Sequence, residues 1–594
     1  MKHIVKHIKP YIPMILFSVF LIGVQAWCNL AMPDVMSQIV NVGIQEYSAK
    51  IALASGDAAM ALMAEQRAYI VATGGKMLVI ALITSGVALA VQFCNAKMGT
   101  GLTRDLRKTV FTKIESFSSA EFDRFSTASL ITRTTNDVQQ LQMMLTMGVR
   151  TIVFAPFMGI GGTIMAMRKA PSMAWINALS VLLVIGLLMT VYTLALPKFK
   201  IIQQLIDKLN LVARESLNGL LVVRAFSTQK DEEKRFDEAS NNYKRTNLFV
   251  NRTMSMMGPT MSLIQNLVPV LIVWVGAEKI AQSQLLVGDM MAYIQYSGNI
   301  MGAFMMISGV FIMFPRAMVS INRVAEILDT ENVITEPETP VEITAAQCEI
   351  TFSNVDFAYP GGDGDVLEDI SFTAKPGQTT AIIGSTGCGK SSLINLIPRF
   401  YDVTSGSVSI NGVDVRNIGL KQLRSLIGFV PQKSVLLSGT IRSNLDAVKP
   451  GATEEDIFKA LEIAQAKEFV IGKEEGIDAP VSQGGTNFSG GQRQRLAIAR
   501  AIIKMAPIYI FDDSFSALDF TTDLNLRKAL KQNLEESTII IVGQRVASIM
   551  DADQIIVLDN GKMVGAGKHQ DLVRNCPVYQ EIALSQLSKE ELGL

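Results

Sequence analysis

Between Pro10 and Pro315 the sequence holds six long apolar runs without a single charged side chain, and no other feature limits its possible folds so severely. A peptide group in hydrocarbon has no water to bond, so a spanning segment must satisfy its own backbone, and a helix needs about 20 apolar residues to cross a core about 30 Å thick. The runs are Pro10 to Pro33, Met77 to Ala96, Thr151 to Met167, Ser172 to Pro197, Thr253 to Ala277 and Met290 to Pro315. The third is short, but only Arg168-Lys169-Ala170-Pro171 separates it from the fourth, which fits a helical hairpin. The first is too long for a signal-peptide core, and bulky Trp27 before Cys28 is a poor cleavage context, so it is read as a retained helix.

Basic residues near the helix ends set the orientation. Lys2, Lys6 and Lys9, then Lys97, Arg104, Arg107, Lys108 and Lys113, then the stretch from Lys198 to Arg252 belong on the cytoplasmic side by the positive-inside rule. Six crossings then leave both termini in the cytoplasm, with the cytoplasmic membrane as the location and the bilayer as a partner. Arg168 and Lys169 break the rule in one outer turn. At 594 residues the chain exceeds one ordinary domain, and its uncharged runs all precede residue 316, so a soluble domain must follow the membrane half. Lys+Arg and Asp+Glu balance at 54 each, which gives no basic surplus for nucleic acid. The five cysteines are far apart, with neither zinc spacing nor a disulfide framework, and read as reduced thiols.

Methionine crowds the last two runs, at Met254, Met256, Met257 and Met261, then Met290, Met291, Met301, Met305, Met306, Met313 and Met318. Flexible, polarizable side chains suit a surface that accepts many apolar shapes, although for any one of them a lipid-facing or helix-packing role is the stronger reading. Amides are unfavourable toward lipid, so Gln265, Asn266, Gln295 and Asn299 are expected to face an internal cavity for a hydrophobic small molecule.

The sequence turns acidic and proline-bearing after Ile327, which predicts a transmembrane domain over 1–328, a linker over 329–347 and a soluble domain over 348–594. There the apolar strand Ala381-Ile382-Ile383 runs into Gly384-Ser385-Thr386-Gly387-Cys388-Gly389-Lys390-Ser391-Ser392, the Walker A pattern. Its glycines permit a tight loop whose amides face phosphate oxygens, Lys390 reaches the outer phosphates of ATP, and Ser391 can ligate Mg2+. Downstream, Ile508-Tyr509-Ile510-Phe511 ends in Asp512-Asp513 as a Walker B strand does, with Asp512 as the Mg2+ residue.

Asn487-Phe488-Ser489-Gly490-Gly491-Gln492, just before the amphipathic stretch Arg493 to Arg500, resembles the signature of the ATP-binding cassette (ABC) family, with Phe488 where leucine is usual. With Walker A at this spacing, the chain resembles an ABC exporter half-transporter: an α-helical six-span transmembrane domain followed by an α/β P-loop NTPase domain. The resemblance implies that Tyr359 stacks on adenine, that Gln432 is the Q-loop residue reaching the γ-phosphate Mg2+, and that Ser516-Ala517-Leu518-Asp519 is the D-loop. It also implies that Phe117 to Arg124, with Leu130 and Thr135-Asn136-Asp137, and Asn218 to Phe226, with Glu233 and Phe236, surround the coupling helices. Cassettes of this family pair head to tail, so a second chain must complete each ATP site.

The pattern departs at two places. Asp513 stands where strong hydrolases of the family carry glutamate, and Gln544 follows Thr538 to Gly543 where the family's switch histidine stands; His3, His7 and His569 are all elsewhere. A carboxylate more than about 1 Å back can cost about a hundredfold in rate. Glutamine donates a hydrogen bond but relays no proton. The expectation is a degenerate, slowly cleaving site in a heterodimer whose other site is competent, with tolerated drift in an active homodimer as the alternative. Export of multidrug or lipid-like amphiphiles leads, beside an exporter-shaped importer of a metal chelate and an ATP-gated channel or regulatory subunit. Six apolar runs exclude a soluble DNA-repair ATPase.

Overall fold

The computed structural model describes residues 7–343, 347–362 and 364–592, so Lys2, His3 and Lys6 lie outside the described residues. It divides into two compact units: Met1–Glu115 with Ala128–Thr330, and Ser116–Thr127 with Glu331–Leu594. The segment Ser116–Thr127, inside the stretch 1–328 on sequence grounds, thus clusters with the second unit.

Among the described residues the first unit has six helices long and apolar enough to cross a membrane: α1 (Lys9–Leu53), α2 (Asp57–Glu115), α4 (Thr127–Lys169), α5 (Pro171–Asn218), α7 (Gln229–Ala281) and α8 (Val287–Asp329). Two short helices lie in the long connections, α3 (Ser119–Arg124) and α6 (Leu220–Ala225). Each apolar run is only the middle of a longer helix. Pro33, Pro197 and Pro315, read from sequence as run ends, sit inside α1, α5 and α8. In a bundle, neighbouring helices and local adjustment re-satisfy the carbonyl that proline leaves unbonded, so proline punctuates a membrane helix less than a soluble one. The short third run is likewise the C-terminal part of a 43-residue helix.

Helices α1 and α2, α4 and α8, and α5 and α7 pack pairwise. Their shared core takes Leu30 from α1, Met158 from α4, Ile176 from α5, Ile264 from α7 and Tyr296 from α8. A Cβ on Gly161 would meet Leu30 Cδ1 at 2.3 Å, so a side chain there would have to displace the end of Leu30 where α4 packs on α1. Three buried hydroxyls cross-link the helices: Tyr293 Oη donates to Met173 O (2.7 Å), Tyr296 Oη to Leu30 O (3.1 Å) and Ser297 Oγ to Asn177 Oδ1 (2.6 Å). Lys169, out of place by the positive-inside rule, bridges Asp34 of α1 (2.7 Å) and Asp289 of α8 (3.0 Å). Its charge is neutralised within the bundle by these two carboxylates.

In the second unit, strands β1 (Ile350–Phe357), β2 (Leu367–Ala374), β3 (Thr379–Gly384), β4 (Ser405–Ile410), β5 (Val413–Asp414) and β6 (Ile427–Val430) precede β7 (Gly439–Thr440) and β8 (Pro480–Val481), a separate antiparallel pair. Then come β9 (Ile508–Asp512), β10 (Thr538–Val542), β11 (Gln554–Asp559) and β12 (Lys562–Gly567). Among the described residues ten form one mixed sheet, ordered β5-β4-β1-β2-β12-β11-β3-β10-β9-β6. Strands β11, β3, β10, β9 and β6 run parallel. That explains why β9 and β10 read as unbroken apolar runs: each is buried along its length. Linker residues lie against the same unit, with Val341 N donating to Asn417 O (2.9 Å) and Leu420 N to Glu336 Oε2 (3.0 Å).

Candidate nucleotide site

Parallel pairing of β3, β10, β9 and β6 sends all their C-terminal ends to one edge, where open α/β sheets bind ligands. The Walker A loop leaves β3, Asp512 ends β9 with Asp513 just beyond it, Gln432 follows β6 and Gln544 follows β10. Four segments far apart in sequence therefore converge, and register along the ladder decides it.

The loop turns through left-handed glycines, Gly387 (φ +85°) and Gly389 (φ +96°), into α9 (Lys390–Leu396). A Cβ on Gly389 would strike Leu367 Cδ2 at 2.7 Å, so both backbone angle and space demand glycine there. Lys390 Nζ donates to Gly384 O (2.9 Å) and Ser385 O (2.7 Å). Ser391 Oγ donates to Asp512 Oδ1 (3.2 Å), and Tyr359 Oη is hydrogen-bonded to Ser392 Oγ (2.8 Å). Cys388 lies buried in this loop, and all five cysteines of the chain are buried free thiols.

Similarity to known proteins agrees with this geometry. Residues 15–304 match the ABC transporter transmembrane region, and residues 367–516 match the ABC transporter family. Over 595 aligned residues the chain is 39% identical to an uncharacterized ABC transporter ATP-binding protein of Mycobacterium tuberculosis, spanning 99% of this chain and 98% of that one. The chain belongs to the ABC transporter family, as an exporter half-transporter. It is also 32% identical to the ATP-dependent lipid A-core flippase of Pseudomonas aeruginosa, over 84% of this chain and 82% of that one. A bacterial Atm1-family ABC exporter solved with ATP bound shares the fold at TM-score 0.73 and 24% identity, covering 97% of this half-transporter and 99% of that chain.

The residues of the half-transporter fit magnesium nucleotide. Ser391 and Asp512 bring a hydroxyl and a carboxylate together at the end of β9, and the glycine turns keep the loop free of side chains that would fill it. Burial pushes the Asp512 carboxyl above the ordinary aspartate range, and the neighbouring Asp513 adds to it. Burial also raises Asp513, against hydrogen bonding from Gln432 and Ser516 and attraction to Lys390 and Arg545.

Asp513 is the most constrained residue of the site. Its φ is +46°, left-handed, where aspartate is one of the few tolerated non-glycine residues. Its N–H donates to Val542 O (3.1 Å), and its carbonyl accepts from Gln494 Nε2 (3.3 Å) and Ser516 Oγ (3.0 Å). Its Oδ2 accepts from Gln544 Nε2 (2.8 Å) and, more weakly, from Gln432 Nε2 (3.4 Å). Gln494 escaped the sequence reading, which treated Arg493 to Arg500 simply as an amphipathic helix; a glutamine that must be buried on that helix was the available signal. His569 is occupied elsewhere, its Nδ1 2.7 Å from Tyr579 Oη.

The signature forms the start of α10 (Gly490–Ile502) as a capping box, with Ser489 Oγ accepting from Gln492 N (3.3 Å) and Gln492 Oε1 from Ser489 N (3.0 Å). Phe488 is buried in the core, so the departure from leucine is absorbed by packing. A Cβ on Gly491 would lie 3.2 Å from Ala517 O, which seats the signature against the D-loop. Asp519 caps α11 (Phe520–Asn533) through Thr522 N (3.0 Å). Among the described residues no hydrogen bond joins Ser489 to Gln492 with the chain's own Walker A loop, and no cluster of three His, Cys, Asp or Glu side chains suits a metal ion.

In the membrane unit, Met261 and Met301 are core residues, whereas Met256 and Met305 are exposed. Asn266 and Gln295 are exposed and Gln265 and Asn299 half-buried.

Proposed function

We propose that this half-transporter exports amphiphilic small molecules, multidrug or lipid-like, across the cytoplasmic membrane as one subunit of a heterodimer, its own Walker motifs forming a hydrolytically weak site. The observation that carries this is the pair after β9 and β10: Asp513 accepting from Gln544 at 2.8 Å. In the proposed roles, Tyr359 stacks on adenine, the loop Gly384 to Gly389 with Ser392 surrounds the phosphates, and Lys390 offsets their charge. Ser391, Asp512 and Gln432 would hold Mg2+, which when bound neutralises charge across the β- and γ-phosphates.

Gln544 donates to whatever carboxylate or phosphate oxygen faces it, and its amide has no proton to give up near neutral pH. Asp513, short by one methylene and already bonded to two amides, is poorly placed to orient a water. The proposed result is a site that retains nucleotide and biases the equilibrium between transport states while hydrolysis proceeds at the other site. There, Ser489 to Gln492 and Asp519 would lie against the Walker A loop of the second chain. The lipid A-core flippase among its relatives supports a lipid-like cargo. Both termini are proposed to be cytoplasmic, in keeping with the basic residues of the long inner connections.

The test is ATPase activity of the purified chain in lipid, alone and with a sister chain carrying glutamate and histidine at the two altered positions. Slow turnover alone and fast turnover in the pair are expected. Rapid turnover by the chain as a homodimer would overturn the heterodimer reading.

A further inference from the structure

Tyr401 lies just beyond the Walker A helix, buried in the cassette core. Its ring meets that of Tyr359 edge to face, with centroids 5.1 Å apart and planes at 89°. Phe357 backs both rings, 4.9 Å from Tyr359 and 5.6 Å from Tyr401. The phenol of Tyr401 donates to Asp123 Oδ2 at 2.6 Å, a short bond of the charge-assisted kind. Asp123 belongs to α3, in the first long cytoplasmic connection, and α3 falls within the same compact unit. Its other anchor is Glu121, whose Oε1 accepts from Val333 N (2.8 Å) while its Oε2 closes the capping box with Ser118. Ala120 packs on the same core as Tyr401.

An unbroken chain of contacts thus runs from Ser392 through Tyr359 and Tyr401 to α3. Edge-to-face rings are directional, so fixing the plane of one restrains the other. We propose that Tyr401 is a positioning residue that transmits adenine stacking on Tyr359 to Asp123, so that α3 responds to the base of the nucleotide and not only to its phosphates. This rests on the reading of Tyr359 as the adenine platform. A stacked base holds the Tyr359 ring, the perpendicular Tyr401 ring is held in turn, and its hydroxyl stays on Asp123.

The experiment is hydrogen exchange of the segment 116–127 in the full chain in nanodiscs, with Mg-ATP or with inorganic triphosphate, which fills the phosphate loop but has no base. Wild type should exchange about fivefold more slowly with ATP and be nearly unchanged with triphosphate. Tyr401→Phe keeps the ring and loses the hydroxyl; it should bind ATP within about twofold of wild type yet lose the slowing. Asp123→Asn keeps an acceptor and should retain part of the effect, whereas Asp123→Ala should abolish it. Equal slowing by triphosphate and ATP, or full slowing in Tyr401→Phe, would overturn the relay. Separately, unchanged ATP affinity in Tyr359→Ala would overturn the adenine reading itself.

Discussion

At the scale of single residues, the site is decided by Asp513 and its neighbours. If the short carboxylate and the amide limit turnover, Asp513→Glu with Gln544→His should raise the ATPase kcat of the purified chain by at least about tenfold, since placement errors near 1 Å can be worth about a hundredfold. A steady-state assay checks it, and an unchanged kcat would place the limitation elsewhere. Asp512 has a second consequence. A carboxylate whose folded pKa is raised contributes stability below its unfolded value, near 3.9 for aspartate, and loses it as pH rises through the folded value. Mg2+ needs that carboxylate ionised, so it opposes the loss. The rise in Tm on adding Mg-ATP should therefore grow as pH climbs above the ordinary aspartate range, and melts of Asp512→Asn across the same pH series should show a flatter dependence.

At the scale of elements, two junctions hold parts of the chain in register. Lys169 joins α1, α4 and α8 through Asp34 and Asp289. Lys169→Met leaves two carboxylates facing each other in a half-buried setting, and a loss of about 1–3 kcal/mol is expected, read as a lower Tm in detergent. Adding Asp34→Asn and Asp289→Asn should recover most of it, because the loss is chiefly that of unpaired charge. At the signature, Ser489→Ala removes the cap of α10 and should destabilise the cassette by about 1 kcal/mol in urea unfolding. Ser489→Asp restores a capping acceptor and should recover stability while leaving activity of the assembled pair low, because a carboxylate would oppose the partner's nucleotide phosphates. Recovery of activity along with stability would make Ser489 a cap alone.

At the scale of the whole molecule, the half-transporter carries one set of ATP motifs, and α6 and its flanks expose apolar side chains in this single chain: Leu221 is 81% exposed and Phe226 75%. An apolar helix so bare is consistent with cover by the second chain of the proposed pair. Hydrogen exchange over residues 217–226 should slow on assembly with the sister chain, and unchanged exchange would leave that face without a role in the pair.

Sequence alone determined the two-part plan, the six spans, the Walker A and B motifs, the signature and the two departures at Asp513 and Gln544, because hydropathy and phosphate-binding loops are local properties written within about ten to twenty residues. Helix ends beyond Pro33, Pro197 and Pro315 were not legible, since whether proline stops a helix depends on the neighbours that take up its freed carbonyl. Nor were the Gln494 bond to Asp513, the Tyr401 bond to Asp123 or the Lys169 bridge. Those contacts join residues from 19 to 278 positions apart in the chain, and only strand order and helix packing bring such partners within hydrogen-bonding distance.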